Sequence, residues 1–500
     1  MTRRRCPLPE QKNKEQISQK TSEDNVARRT GKNTLMLLFG TLFRMFVSFA
    51  FVVFAADRLG VEGFGIYSIG IHYFELFLSL SATAIGILLT RDIAKWKRRA
   101  NELTTSACVF ALILAVLGAL MMVGLTMLFQ FSTVTSQVIM VASLALIPAA
   151  LSAVLEAVLV AHERAEFVAL SVSIESTIRV LASIGAILMG YGLATLFAIL
   201  IITRVVQLLV FYVSVRYVAA LQFSFSTRGF SRFTRRWRMF AAENWMATIY
   251  TNLDVLVLSW LTNEFAVGLY SAAWKIVRLG SVAAKTYTTA VFPLLARLHQ
   301  QSIRQFEKVN MDTIRLMCVI AIPIVIVTSV LSDRIIGLVY YSGKYTDAIP
   351  VLQVLIWVLL LEFLNPFLSH TLFARGRQDR SMYVAAIALV VNTVATLALV
   401  HNFGALGAAF GTVIGGLVAT ICYMKFALTR SEIIKTTHSI LRVLLASCIV
   451  GLALLLVRDA NWFVLGLVGL LVYPALVWLL RLVSQRDIDL LRSIVVSKTA

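Results

Sequence analysis

Apolar runs of roughly 18 or more residues recur from Leu35 to Leu482, and the connections between them alternate between basic and nearly free of Lys and Arg. Each run is long enough to cross a hydrocarbon core of about 30 Å. Only 14% of the residues are charged, against about a quarter in soluble chains. The pattern predicts an all-α polytopic membrane protein of about fourteen transmembrane helices.

Of the 46 Lys and Arg, roughly 34 fall in alternate connections and the two tails. The basic connections include Lys95-Trp96-Lys97-Arg98-Arg99, the stretch from Arg228 to Arg238, and Arg375, Arg377 and Arg380. The others, such as Phe129 to Gln137, Tyr191-Gly192, Thr262 to Ala266 and His401 to Gly404, are short and nearly free of Lys and Arg. The positive-inside rule places the basic side in the cytoplasm, so an even span count leaves both termini inside the cell membrane. It also accounts for the net charge of +20. With no base-stacking platform or folded basic domain, that excess requires no nucleic-acid partner.

Residues 1–33 are polar and mixed in charge, which predicts a disordered cytoplasmic tail. No short apolar core with a small-residue cleavage site precedes Leu35, so no cleavable signal peptide is expected. The five cysteines have no metal-site spacing. No metal, cofactor or structural disulfide is expected.

A weak internal repeat is present. Gly65-Ile66-Tyr67-Ser68 is echoed by Gly268-Leu269-Tyr270-Ser271, and Leu88-Leu89-Thr90-Arg91 by Leu294-Leu295-Ala296-Arg297. The offsets are about 203 and 206 residues, and six spans separate the copies, so both run in the same membrane sense. The repeat predicts an N-terminal six-helix lobe (34–216) and a C-terminal six-helix lobe (239–428) related by a pseudo-twofold along the membrane normal. A basic amphipathic cytoplasmic linker (217–238) would join them. Helices 13 and 14 (429–483) and a cytoplasmic tail (484–500) complete the chain. The linker interleaves Phe223, Phe225, Phe230, Phe233 and Trp237 with arginines, a composition suited to membrane lipid headgroups.

Charges inside the spans carry the functional argument, because each is costly in lipid. Lys275, Arg278 and Lys285 project within about 80° of one another on span eight (267–290). Such a stripe must line a polar cavity or meet acidic partners. Arg44 and Arg204 are also deep. Glu75, beside His72, is a candidate counter-charge to Arg44, and the repeat offset carries it onto Arg278. Glu175 and Arg179 have the spacing of an intrahelical pair and read as structural. Glu243 and Asp254 on span seven (239–260) and the lone Glu362 on span ten (349–372) are candidate coupling or counter-charge groups. Deep cations outnumber deep carboxylates in this reading, so a shared cavity would suit an anionic cargo such as a diphosphate, whose oxygens match arginine forks. The outer connections are too short for an enzyme domain and hold no paired carboxylates, which counts against a membrane glycan transferase or polymerase. No catalytic residue is expected.

Asp57-Arg58-Leu59-Gly60-Val61-Glu62-Gly63-Phe64-Gly65-Ile66-Tyr67-Ser68, its echo at 268–271, and Phe403-Gly404-Ala405-Leu406-Gly407-Ala408-Ala409 resemble the polysaccharide and oligosaccharide flippases (Wzx-type) of the multidrug/oligosaccharidyl-lipid/polysaccharide exporter superfamily. The resemblance covers about residues 33 to 430. It implies two six-helix lobes around a central cavity and transfer of a polyprenyl-diphosphate-linked glycan from the cytoplasmic to the outer leaflet by alternating access. It also implies association with a glycan polymerase or transferases. Cation-coupled efflux of small molecules is the alternative within the same superfamily.

Overall fold

The computed structural model describes the backbone of residues 9–129, 131–219, 222 and 224–479, with side chains from residue 43 onward apart from scattered positions. Every regular element in it is helical. The first half holds α1 (Pro9–Leu78), α2 (Ala84–Lys95), α3 (Ala100–Leu128), α4 (Thr133–Leu144), α5 (Leu146–Ala161), α6 (Ala165–Leu188) and α7 (Leu193–Ala219). The second holds α8 (Thr227–Leu261), α9 (Glu264–Gln301), α10 (Ile303–Val330), α11 (Ser332–Val339), α12 (Ala348–Leu355), α13 (Trp357–Ala374) and α14 (Gln378–Ala427). Then come α15 (Arg430–Leu456) and α16 (Trp462–Leu479).

Among the described residues, nine segments are long and apolar enough to cross a membrane. Two of them, Phe43–Lys95 and Gln378–Ala427, have 53 and 50 residues, more than one crossing requires. Each bends at a single glycine. Gly60 (φ 71°, ψ 177°) and Gly404 (φ 53°, ψ −126°) adopt backbone angles that side chains resist. The chain between the first two apolar runs is therefore helix on both sides of one residue, Gly60. α8 and α9 are not among the nine. They carry Asp254 and the Lys275, Arg278 and Lys285 stripe, which lower their hydropathy.

Two expected boundaries differ. α1 begins at Pro9, inside the stretch whose composition predicts disorder. Proline suits the first helical position, and the Glu, Gln and Lys after it are good helix formers. α8 begins at Thr227, where the Ser226 hydroxyl caps it by accepting from the Gly229 N–H. Residues 227–238 of the basic linker thus run without a break into the spanning helix.

Packing groups α1 with α6, α5 with α7, and α2 and α3 with α5 in the first half. In the second, α13 packs on α9 and α14, and α8 on α14. α15 docks on α10, with Gly451 against Ile326. Its start is fixed by a capping box between Thr429 and Glu432.

The two halves meet along α8. The Arg236 guanidinium lies 3.2 Å from Asp92 Oδ2 and over the Trp96 ring at 5.0 Å. Arg91 holds the other Asp92 oxygen at 3.0 Å. Deeper, Trp245 Nε1 donates to the Leu80 carbonyl at 3.0 Å, Ser79 and Thr248 share a hydrogen bond of 2.7 Å, and Trp260 donates to Tyr73. Asp92 is 1% exposed, so Asp92→Ala removes a buried carboxylate that ties the two halves through Arg91 and Arg236. Purified Asp92→Ala should be less stable by about 1–3 kcal/mol, read as a lower melting temperature in detergent.

Candidate functional site

The helical halves converge on a set of charges that no single helix could hold in lipid. On α6, Arg179 Nε lies 3.1 Å from Glu175 Oε1, and this pair is largely buried. On α7, Arg204 donates to Gln207 Oε1 at 2.7 Å and stacks over Phe74 at 5.7 Å. Glu175, Arg179, Arg44 and Glu75 surround it electrostatically. Across the seam, Arg278 and Lys275 of α9 act on Glu75, together with His72 and Arg179. His72 itself is buried and joins the halves through a 3.0 Å hydrogen bond from Nδ1 to Asn252 Oδ1. Glu362 on α13 lies within electrostatic reach of Arg278 and Lys285.

The charges form one continuous cluster. From one end it runs Lys285, Glu362, Arg278, Glu75, Arg179, Arg204, Glu156 and Arg44, each within electrostatic reach of the next. Arg44, Glu75, Arg278 and Lys285 are exposed although they sit within apolar helices. The cluster draws on six helices (α1, α5, α6, α7, α9 and α13), and its exposed charges of both signs would be costly against lipid. Six cations (Arg44, Arg179, Arg204, Lys275, Arg278, Lys285) stand against four carboxylates (Glu75, Glu156, Glu175, Glu362).

The structure thus gathers seven of the residues singled out by sequence: Arg44, Glu75, Arg204, Lys275, Arg278, Lys285 and Glu362. Asp254 lies apart. It is 3% exposed and accepts from the Tyr270 and Thr412 hydroxyls. The Glu243 side chain lies outside the described residues. Arg179 and Glu175 pair within their helix but also belong to the cluster. Glu156 was missed, although a lone carboxylate in the apolar run 138–161 obeys the rule that flagged the others.

At the end expected to face outward, the halves touch through small residues. A Cβ on Gly65 would overlap the Glu264 carbonyl oxygen, and one on Gly268 would overlap that of Val61. One offset of 203 residues relates Gly65 to Gly268 and Val61 to Glu264, so the contact is its own pseudo-twofold mate. The Thr135 hydroxyl also donates to Glu264 Oε1 at 2.8 Å. Burial alone would raise the Glu264 carboxyl, but hydrogen bonds led by Ser132 and Thr135 hold it below the usual carboxylate range.

Residues 30–299 match the family described as polysaccharide biosynthesis protein, and residues 240–397 match the MatE family. The chain belongs to the polysaccharide biosynthesis protein family. Within the superfamily that resemblance indicated, it is 23% identical over 401 residues to the "Probable flippase AglR" of Haloferax volcanii, covering 78% of this chain and 82% of that protein. The "Probable low-salt glycan biosynthesis flippase Agl15" of the same organism is 24% identical over 178 residues, spanning only 35% of this chain and 38% of the relative. The fold is that of the lipid II flippase MurJ in an inward closed conformation, with TM-score 0.75 and 16% identity over 88% of this chain and 98% of that one. An inward-facing multidrug transporter of the MATE family is also similar, with TM-score 0.65 and 17% identity over 79% of this chain and 95% of that one. The protein is a multi-pass membrane protein of this family.

Proposed function

We propose that the protein is a flippase that moves a lipid-diphosphate-linked oligosaccharide from the cytoplasmic to the outer leaflet by alternating access, for surface polysaccharide or cell-wall biosynthesis. The observation that carries the reading is the cross-half cluster, with its surplus of two cations. Arg44, Arg204, Lys275, Arg278 and Lys285 would replace water around the diphosphate, arginine by bidentate bonds and lysine as point charge. Glu75 and Glu362, set among those cations, would serve as counter-charges that release the cargo. The glycan would occupy a hydrated space while the polyprenyl tail stays in lipid. The 34–216 and 239–428 lobes would rock about the α8 seam, closed at Gly65 and Gly268 in the state described. Both termini would lie in the cytoplasm of a plasma-membrane protein that works beside a glycan polymerase or transferases.

The test is transport itself. Purified protein in vesicles carrying polyprenyl-diphosphate oligosaccharide on one leaflet should deliver it to the other, measured by the rate at which the glycan becomes accessible to an added oxidant. A rate no faster than in protein-free vesicles would sink the reading.

A second reading, cation-coupled efflux of small molecules, rests on Asp254. Its Oδ1 is buried with no hydrogen-bond partner among the described residues, a position that could take a proton or a small cation. Drug sensitivity in a deletion strain with normal surface glycan would favour it.

An enzymatic role has less support. Burial raises the Asp333 carboxyl, but Arg458, at 2.7 Å, and backbone N–H groups outweigh it and hold the acid below its usual range. An acid so placed stays ionised at neutral pH and cannot donate a proton to a leaving group. Asp333→Ala should therefore leave glycan export within about twofold of the parent. Loss of export with normal protein level would contradict this.

A further inference from the structure

Beside the glycine contact, two tyrosines bridge the halves of the molecule. The loop 340–347 between α11 and α12 carries Tyr340 and Tyr345, whose rings stack with centroids 4.5 Å apart and 29° between planes. Both are essentially fully buried. The Tyr340 hydroxyl donates to the Ala272 carbonyl of α9 at 2.9 Å. The Tyr345 hydroxyl donates to the Ala56 carbonyl of α1, also at 2.9 Å. Phe64, just past the Gly60 bend, meets the Tyr345 ring edge-on at 6.4 Å. One ring is thus tied to its own half and the other to the opposite half.

We propose that the Tyr340–Tyr345 stack is a clasp that holds the outer ends of the lobes together, and that the Tyr345–Ala56 hydrogen bond is the link in it that breaks when the cavity opens outward. The inference rests on the alternating-access reading. Ala56 and Ala272 lie on α1 and α9, the helices that meet at the outer contact. Separating them leaves Tyr340 seated on α9 and pulls Tyr345 off α1. The Thr135–Glu264 bond also crosses the halves, but Glu264 is partly exposed and can exchange its donor for water. Tyr345 has no such exchange while the site stays closed, so its hydroxyl biases the equilibrium toward the outer-closed state.

The clasp is asymmetric, and the test uses that. Spin labels on Tyr191→Cys and Asn402→Cys, both exposed at outer connections, report the outer separation in otherwise cysteine-free protein in vesicles. Tyr345→Phe keeps the ring and deletes the cross-half bond. It should raise the ratio of wide to narrow distances by about 2- to 12-fold, the effect of one net hydrogen bond. Tyr340→Phe deletes a bond within one half and should leave the ratio unchanged. A parent that shows both distances with no response to Tyr345→Phe, or an equal response to Tyr340→Phe, overturns the clasp alone. A parent that never shows the wide distance, even with polyprenyl-diphosphate glycan present, overturns the transport cycle and the clasp with it.

Discussion

Arg278→Ala should reduce glycan export by about 10- to 150-fold while leaving the amount of protein in the membrane unchanged, the cost of one charge-assisted contact of about 1.5–3 kcal/mol. Arg278 is exposed, acts on both Glu75 and Glu362, and couples a helix of the second half to one of the first. Truncation removes a cargo ligand and also leaves Glu75 with fewer counter-charges, so both binding and release suffer. Arg278→Lys should retain part of the activity, because lysine restores charge without the planar fork. Surface glycan measured against protein level by immunoblot reads the effect. The charge swap Glu75→Arg with Arg278→Glu keeps the net charge and should export better than Arg278→Glu alone. Full export in both Arg278→Ala and Arg44→Ala would falsify the site, because two of its six cations would then be dispensable.

Much of this arrangement was legible before any coordinates. The recurring apolar runs predict membrane-spanning helices because lipid tolerates few solutions, and the helical fold agrees with that reading. The 65–68 and 268–271 echo was legible because a backbone contact on a pseudo-twofold axis demands a small residue in both copies. Glu75 and Arg278 could be related by the same offset. What sequence could not give was the rotation of each helix about its axis. Asp254 is also a carboxylate within a span, but α8 turns it toward Tyr270 and Thr412 and away from the cluster. Asn252, two residues earlier, reaches His72 in the other half. Tyr340 and Tyr345 were invisible for a different reason, since an outer loop of ordinary composition carries no sign of which helix its side chains will bond. Glu156 was an oversight, not a limit.

Gly65→Ala and Gly268→Ala should each abolish export, by preventing the outer ends from closing. The added Cβ would overlap a carbonyl oxygen of the opposing helix, and backbone cannot swing aside as a flexible side chain can. Overpacking of this kind costs about 1–3 kcal/mol or more, enough to deplete the outer-closed state by roughly 5- to 150-fold. The two variants should behave alike, since each methyl meets the pseudo-twofold equivalent of the other's obstacle. Gly185→Ala is the control. It adds the same methyl to α6 where nothing lies within 4 Å, and it improves helix propensity by about 1 kcal/mol. Outer-end spin-label distances should shift toward the wide population in Gly65→Ala and Gly268→Ala and stay put in Gly185→Ala. This shift separates a blocked gate from a misfolded protein, because a misfolded protein gives a broad, featureless distribution. If both variants export normally, the outer contact is not part of the cycle, and the lobes must close on some other surface.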